Sequence, residues 1–87
     1  MSAADLKNPR RRVVGAKASL KQVTAGRAQA VFVARDTNAK LVAALVEECG
    51  RRGVPVHYEE SMARLGVLCG IEVGAAAAAV LRREAEA

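Results

Sequence analysis

The sequence predicts an α/β sandwich in which helices cover both faces of a small β-sheet. The first sign is a continuous apolar run at residues 30–34 (AVFVA), which suits a strand buried on both faces. The second is a set of apolar residues at helical spacing over residues 41–49, and the third is another apolar run at residues 54–57. A strand, a helix and a strand in this order form a β-α-β unit, whose parallel strands are joined by a right-handed crossover.

The chain has 87 residues and a mass of 9.1 kDa. Hydrophobic residues make up 52% of it and charged residues 26%, which is typical of a globular protein rather than a disordered one. The length is enough for one small hydrophobic core. We therefore predict a single domain that spans residues 1–87.

Two elements are expected at the amino-terminal side of the first apolar run. Residues 12–14 (RVV) predict a short strand that ends in a turn at Gly15. Residues 17–25 predict a helix, and Gly26 follows at a position where helices commonly stop. The apolar residues that share one face of this helix are Leu20 and Val23.

The helix between the two longer apolar runs has clear boundary signals. Asp36, Thr37 and Asn38 are all good amino-terminal caps, and Gly50 and Gly53 are expected to close the helix. Its apolar stripe is expected to consist of Leu41, Val42, Leu45, Val46 and Cys49.

A third strand and a third helix follow. Because Pro55 lacks a backbone donor, the strand at residues 54–57 should lie at a sheet edge or begin near this proline. Ser61 can cap the third helix, after which Gly70 can end it. The apolar stripe of that helix would be Met62, Leu65 and Leu68.

Residues 74–87 are ambiguous from their composition. Alanine, leucine, arginine and glutamate are strong helix formers, so propensity alone favours a helix. A strand through the centre of a tightly covered sheet can also consist of small residues, and packing often overrides propensity.

The net charge of +5 is unevenly distributed along the sequence. Residues 1–40 carry nine Lys or Arg against two Asp, whereas residues 41–87 carry five basic and seven acidic residues. A basic half in a small domain with a pI near 9.9 is expected of a nucleic-acid binder. The alternative is a well-solvated surface without a ligand.

Several other function classes fit the composition poorly. Phe32 and Tyr58 are the only aromatic residues, so binding of single-stranded bases by aromatic stacking is not expected. Cys49, Cys69 and His57 are too few and too scattered for a zinc site or a disulfide scaffold. We find no membrane span, no signal peptide and no catalytic cluster. We therefore expect a cytoplasmic non-enzyme without a cofactor, a metal or a small-molecule substrate.

Three segments resemble one known family. They are residues 15–21 (GAKASLK), residues 30–36 (AVFVARD) and residues 61–76 (SMARLGVLCGIEVGAA). In this order they resemble the kink-turn-binding ribosomal-protein family of the archaeal L-seven-Ae type, and most of all its bacterial YbxF-type branch. The resemblance covers about residues 5–81, and its most specific part is the stretch around Cys-Gly-Ile-Glu-Val-Gly.

The resemblance implies a fold and a function. The fold would be a three-layer α/β/α sandwich around a small mixed four-stranded sheet, with a last strand at about residues 75–81 and a tail at residues 82–87. The function would be recognition of kink-turns, RNA elements in which a bulge beside sheared G·A pairs bends the duplex. A kinked duplex opens the major groove, which is too narrow for side chains in regular A-form RNA.

The resemblance also implies a binding site at the start of the first helix. Free backbone N–H groups and the positive dipole end suit phosphate there, and Gly15 permits a close approach of the RNA. Lys17 would occupy the position of an archaeal Asn near the G·A pairs, and Lys21 would match a lysine of the family. Relatives have Glu or Gln at the position of Ala18, so a base contact is missing. The site segment consists of Gly15, Ala16, Lys17, Ala18 and Lys21.

A second part of the implied site is an apolar loop, Ile71, Glu72 and Val73, which would cover the bulged nucleotides. The alternative is that Ile71 and Val73 are core residues that lead into the last strand. Arg35 and Arg64 are candidate phosphate contacts or solvated surface charges.

Two further interpretations stay open at this level. Residues 10–12 (RRR) are either a phosphate-binding arm or a basic lead-in to the first strand. The protein itself is predicted to be a monomer that binds kink-turn RNA in a ribosome or riboswitch. The alternative function is a ribosome-associated protein-interaction module whose loop docks a protein.

Overall fold

A computed structural model, which describes residues 3–83, shows a mixed four-stranded sheet with helices on both faces. The predicted α/β/α sandwich is therefore confirmed. After a 3-10 helix at Ala3–Lys7, the elements are β1 (Arg12–Val14), α1 (Ala16–Thr24), β2 (Ala28–Ala34), α2 (Ala39–Arg52), β3 (Val56–Glu59), α3 (Met62–Cys69) and β4 (Ala77–Leu81).

The strand order in the sheet is β1-β4-β2-β3. β2 and β3 are parallel and joined by α2, which confirms the β-α-β unit, and β4 is antiparallel to both of its neighbours. β3 lies at an edge, and Pro55 immediately precedes it, with its carbonyl accepting from the N–H of Val31. Because Pro55 lies outside β3, its missing N–H removes no hydrogen-bond donor from the sheet.

The alanine run forms the central strand β4 rather than a helix, as the resemblance implied and propensity did not. Ala77, Ala78 and Ala79 are fully buried, because neighbouring residues of β4 face opposite layers of the sandwich. Ala77 and Ala79 pack beneath α1 and α2, and Ala78 and Val80 pack beneath α3 and the 3-10 helix. Small side chains let both helical layers lie close to the sheet, so packing decides the conformation here.

The helix boundaries follow from capping chemistry. The Asn38 side chain accepts from the N–H of Lys40 at the start of α2, and the Ser61 hydroxyl accepts from the N–H of Arg64 at the start of α3. Gly53 caps α2 in the left-handed conformation with φ of 69°. Gly50 was expected to close α2 but lies inside it, because the helix continues for two more residues.

The strand directions define two ends of the sheet. β1, β2 and β3 end where β4 begins, and we call this the Gly15 end after the residue that follows β1. At the opposite end the first three strands begin and β4 finishes, and we call this the Arg27 end after the residue that precedes β2. α1 and α2 both run from the Gly15 end to the Arg27 end, since each connects the end of one strand to the start of another.

The arginines before β1 do not form an arm. Arg11 is 5% exposed, and its guanidinium donates to the Asp5 carboxylate at 3.2 Å, the Gln29 side chain at 3.0 Å and the Leu81 carbonyl at 2.8 Å. Arg12 donates to the carbonyls of Leu6 and Cys69. These two side chains hold the sandwich together, and only Arg10 of the triplet is exposed. The residues that accept hydrogen bonds from the Arg11 and Arg12 side chains are Asp5, Leu6, Gln29, Cys69 and Leu81.

Candidate nucleic-acid interface

The turn into α1 is built around Gly15. Its φ of 108° and ψ of 147° lie in a region that L side chains rarely adopt, so glycine is required there. Its N–H donates to the Ala77 carbonyl at 2.7 Å, and its carbonyl accepts from the N–H of Ser19. No side chain caps the helix, and no acidic residue occupies its first turn, so the positive end of the helix faces solvent unopposed.

The exposed side of α1 carries the predicted contacts. Ser19 and Val23 are buried against the sheet, whereas Lys17, Ala18 and Lys21 are exposed. Lys17 and Lys21 lie one turn apart on the same side, so both ammonium groups can reach one ligand. The exposed methyl group of Ala18 offers no hydrogen bond at the position where the resemblance implies Glu or Gln.

The loop after α3 folds back along that helix. The N–H of Ile71 donates to the Gly66 carbonyl at 3.1 Å, and the N–H of Ala75 donates to the Met62 carbonyl at 3.0 Å. A Cβ atom on Gly66 would overlap the carbonyl oxygen of Val73, so the loop touches the bare backbone of α3. This contact fixes the height of the loop above the helix.

The two apolar side chains of the loop have different surroundings. Val73 is 71% exposed, so the alternative of a core position is wrong for it. Ile71 is half-buried and packs against the cluster beneath α3, so that alternative is partly right for Ile71. Glu72 is exposed between them. An exposed valine supported by a packed isoleucine makes a firm apolar surface rather than a flexible one.

The loop and the start of α1 meet at the Gly15 end. The loop leads directly into β4, whose first residue, Ala77, accepts the hydrogen bond from Gly15. The preceding residue, Ala76, lines a groove of about 420 Å³ together with Ala16 and Lys17. A single bent ligand can therefore touch both segments.

The same groove is bordered by a residue that the sequence pattern placed elsewhere. Leu41 was expected on the buried stripe of α2, but it is 63% exposed and lies beside Lys17 in the groove. Its helical spacing could not reveal this, because Leu41 and Val42 are adjacent and only one of them can face the sheet. Leu41 adds apolar surface to the candidate interface.

Arg35 and Arg64 are both exposed and belong to the same end of the molecule. Arg35 directly follows β2, and its guanidinium lies over the Tyr58 ring at 5.4 Å from the centroid. Next to it, the Asp36 carboxylate accepts from the N–H of Met62 at 2.7 Å and so joins β2 to α3. Arg64 lies in the first turn of α3 and makes no side-chain bond to another described residue.

The described residues offer little for other chemistry. Cys49 and Cys69 are buried, and burial raises the pKa of both thiols, so they stay protonated near neutral pH. No group of three His, Cys, Asp or Glu that could hold a metal occurs within residues 3–83. In that same range no helix is long and apolar enough to cross a membrane.

Comparison with known proteins gives consistent matches. The model of the ribosomal protein L7Ae/L30e/S12e/Gadd45 family matches residues 2–87. An RNA-binding protein of Caldanaerobacter subterraneus subsp. tengcongensis is 42% identical over 71 residues, which cover 82% of this chain and 87% of that protein. The RNA-binding protein YbxF of Geobacillus stearothermophilus is 37% identical over 70 residues, covering 80% and 85%.

Solved structures share the fold. The 15.5 kD RNA-binding protein of Giardia lamblia superimposes with a TM-score of 0.84 at 28% identity, covering 97% of this chain and 73% of that one. The fold of this chain is therefore similar to that of the Giardia protein.

Proposed function

The chain belongs to the ribosomal protein L7Ae/L30e/S12e/Gadd45 family, and from this premise we propose that it recognises and stabilises kink-turns in RNA. The observation that supports this proposal most is the meeting of an uncapped helix start and an exposed apolar loop at the Gly15 end. A bent duplex presents phosphates and extruded bases close together, and the chemistry of these two surfaces matches them.

In the proposed complex the start of α1 enters the widened major groove. The free N–H groups of its first turn donate to phosphate oxygens, and the absence of a side chain at Gly15 permits the close approach. Lys17 donates to the O6 and N7 atoms of a guanine in the G·A pairs. Lys21, one turn further along, pairs with a phosphate.

The loop covers the bulged nucleotides. Val73 packs against an extruded base, and Leu41, which lines the groove beside Lys17, adds apolar surface near the start of α1. Burying these side chains against a base removes apolar surface from water, which favours the complex by about 25 cal/mol per Å². Arg35 and Arg64 add phosphate contacts at the margin.

Ala18 sets a limit on selectivity. A good base contact contributes about 1–3 kcal/mol of discrimination, and alanine cannot supply it. Phosphate contacts are independent of this position, so affinity persists while the preference for particular bases is reduced.

Binding would act by selection of the bent conformer. RNA kinks transiently, and a protein that binds only the kinked form shifts the population toward it. No bond is made or broken in this mechanism. We propose a non-enzymatic role, without a cofactor, for a cytoplasmic monomer that binds a ribosomal or riboswitch RNA.

A gel-shift assay tests the function directly. The protein is titrated into a kink-turn RNA and into the same RNA with its G·A pairs replaced by Watson–Crick pairs. We expect at least about tenfold tighter binding to the kink-turn, which corresponds to about 1.4 kcal/mol. Equal binding to both, or none to either, would contradict the proposal and would favour a protein-docking role for the loop.

Replacing Lys17 and replacing Lys21 are expected to change RNA binding in different ways. Lys21→Ala should weaken binding and lower the slope of log K against log salt by about one unit or less, because one phosphate contact is lost. Lys17→Ala should instead narrow the preference for the kink-turn over a plain duplex. Titrations at several salt concentrations with both RNAs separate the two effects. An equal loss on both RNAs for Lys17→Ala would reduce its role to charge alone.

A further inference from the structure

The Arg27 end of the molecule gathers basic residues from distant parts of the sequence. The 3-10 helix, the segment before β1, the turn before β2, the carboxyl end of α2 and the residues after β4 all meet there. The sequence alone suggested a basic first half, but in the folded protein the charge collects at this end. Its basic residues are Lys7, Arg10, Arg11, Arg27, Arg51, Arg52, Arg82 and Arg83.

Half of these cations already have partners. Arg51 and Arg52 pair with Glu48, and hydrogen bonds from Arg52 and then Arg51 hold the pKa of that carboxyl below its usual range. They also complement the negative end of α2. Arg11 is buried in its own network, and Arg82 donates to the Gly26 carbonyl.

Four exposed cations remain: Lys7, Arg10, Arg27 and Arg83. Their side chains make no hydrogen bond or ion pair with the other residues that the structure describes. The described carboxylates of this end are engaged, since Asp5 holds Arg11, and Glu47 and Glu48 hold Arg51. Eight cations still stand against five acidic residues when Glu84 and Glu86, which follow Arg83 in the sequence, are added to Asp5, Glu47 and Glu48.

The Gly15 end has a smaller excess of positive charge. There Lys17, Arg35, Lys40 and Arg64 are interspersed with carboxylates, and one of these, Asp36, accepts a hydrogen bond from the backbone N–H of Met62. The most positive surface of the molecule is therefore not the candidate kink-turn site. The carboxylates near that site are Asp36, Glu59, Glu60 and Glu72.

Backbone hydrogen bonds connect α1, the turn before β2 and the segment after β4 at the Arg27 end. The N–H of Arg82 donates to the Arg27 carbonyl at 2.8 Å, which ties the segment after β4 to the turn before β2. The N–H of Arg27 in turn donates to the Gln22 carbonyl at 2.9 Å at the end of α1. Exposed cations on a fixed framework suit a regular array of phosphates better than a flexible tail does.

We propose that Lys7, Arg10, Arg27 and Arg83 form a second RNA-binding surface, which contacts the phosphate backbone of a duplex without reading its bases. The seven residues of β2 separate this surface from the Gly15 end by roughly 23 Å, about 3.3 Å per residue. The protein can thus bridge a kink-turn and a second RNA helix. Bridging, unlike the duplex contact itself, rests on the proposed function.

A plain RNA duplex without a kink tests the surface by itself. The double variant Arg10→Gln/Arg27→Gln is expected to lower the slope of log K against log salt by about two, because two phosphate contacts are lost. Lys17→Gln/Lys21→Gln removes the same charge from the Gly15 end and should lower the plain-duplex slope by less. Equal slopes for the two double variants, or an unchanged slope for Arg10→Gln/Arg27→Gln, would overturn the proposal. Equal urea midpoints for all proteins show that folding is intact.

A capture experiment tests bridging. A kink-turn RNA is immobilised and saturated with protein, and a labelled plain duplex is then added. The wild type should retain the duplex, and Arg10→Gln/Arg27→Gln should retain several-fold less while occupying the kink-turn RNA equally. Equal retention would contradict a second surface. Loss of kink-turn selectivity in the wild type would instead contradict the proposed function and leave the plain-duplex result to decide the surface.

Discussion

Replacing Gly66 by alanine is expected to push the apolar loop away from α3 and to weaken RNA binding about tenfold or more. A Cβ atom at this position would overlap the Val73 carbonyl oxygen, and both the helix and the loop backbone would have to move to relieve it. Displacing Val73 would remove the apolar contact that we propose with the bulged nucleotide, and a loss of about 1.4 kcal/mol is tenfold in affinity.

The same substitution is expected to lower the free energy of unfolding by about 1–3 kcal/mol, which is typical of an overpacked site. The hydrogen bond from Ile71 to Gly66 and the packing of Ile71 beneath α3 both depend on the close contact. Urea denaturation measures this loss, and the binding titration should be carried out well below the midpoint, where the variant is folded.

Gly50→Ala is the matched control for Gly66→Ala. Gly50 also lies inside a helix, but a Cβ atom there would meet nothing within 4 Å. This change should leave RNA binding unaltered and should stabilise the protein by about 0.5–1 kcal/mol through helix propensity. A Gly66→Ala protein with the affinity of the wild type would show that the position of the loop does not matter for binding.

Replacing Arg11 by methionine is expected to cost about 3 kcal/mol of stability. The change leaves the Gln29 side chain and the Leu81 carbonyl without this donor in a partly buried site, and it leaves Asp5 without its cation. Removing one partner of a buried charge network costs about 3–5 kcal/mol. The lower end applies here, because the Asp5 side chain is 31% exposed and keeps part of its hydration.

Arg10→Met is the control, since Arg10 is the exposed neighbour and its side chain bonds no other described residue. Its stability should change by no more than about 0.5 kcal/mol, as is usual for surface positions. Thermal denaturation should separate the two variants by about 10 °C or more, at 4–8 °C per kcal/mol for a domain of this size. Similar melting temperatures would show that the Arg11 network contributes little.

Much of the fold was predictable because local chemistry agrees with packing. The run at residues 30–34 lies in a strand that is buried on both faces, and Asn38 and Ser61 cap helices as their residue types suggest. The alanine run was the exception. Helix propensity describes an isolated segment, whereas burial between two helical layers decides the conformation of β4.

The surface features were harder to predict. In the sequence, residues 10–12 are three arginines with no sign of a difference between them. In the structure, the Arg11 and Arg12 side chains donate hydrogen bonds within the sandwich, whereas Arg10 is exposed. The role of Gly66 depends on its contact with the loop after α3, and residue spacing in the sequence does not predict such a contact. A division of charge between sequence halves could not foresee that residues from both halves would meet at the Arg27 end.

The central place of β4 has a consequence for folding kinetics. Among the described strands, β1 pairs only with β4. The paired residues lie more than sixty positions apart in the sequence, as Val13 and Ala79 do. Closing so long a loop is slow and entropically costly, and it must precede the completion of either layer. We expect cooperative, all-or-none refolding in which the β1–β4 pairing limits the rate, and no stable subdomain made of the first three strands alone.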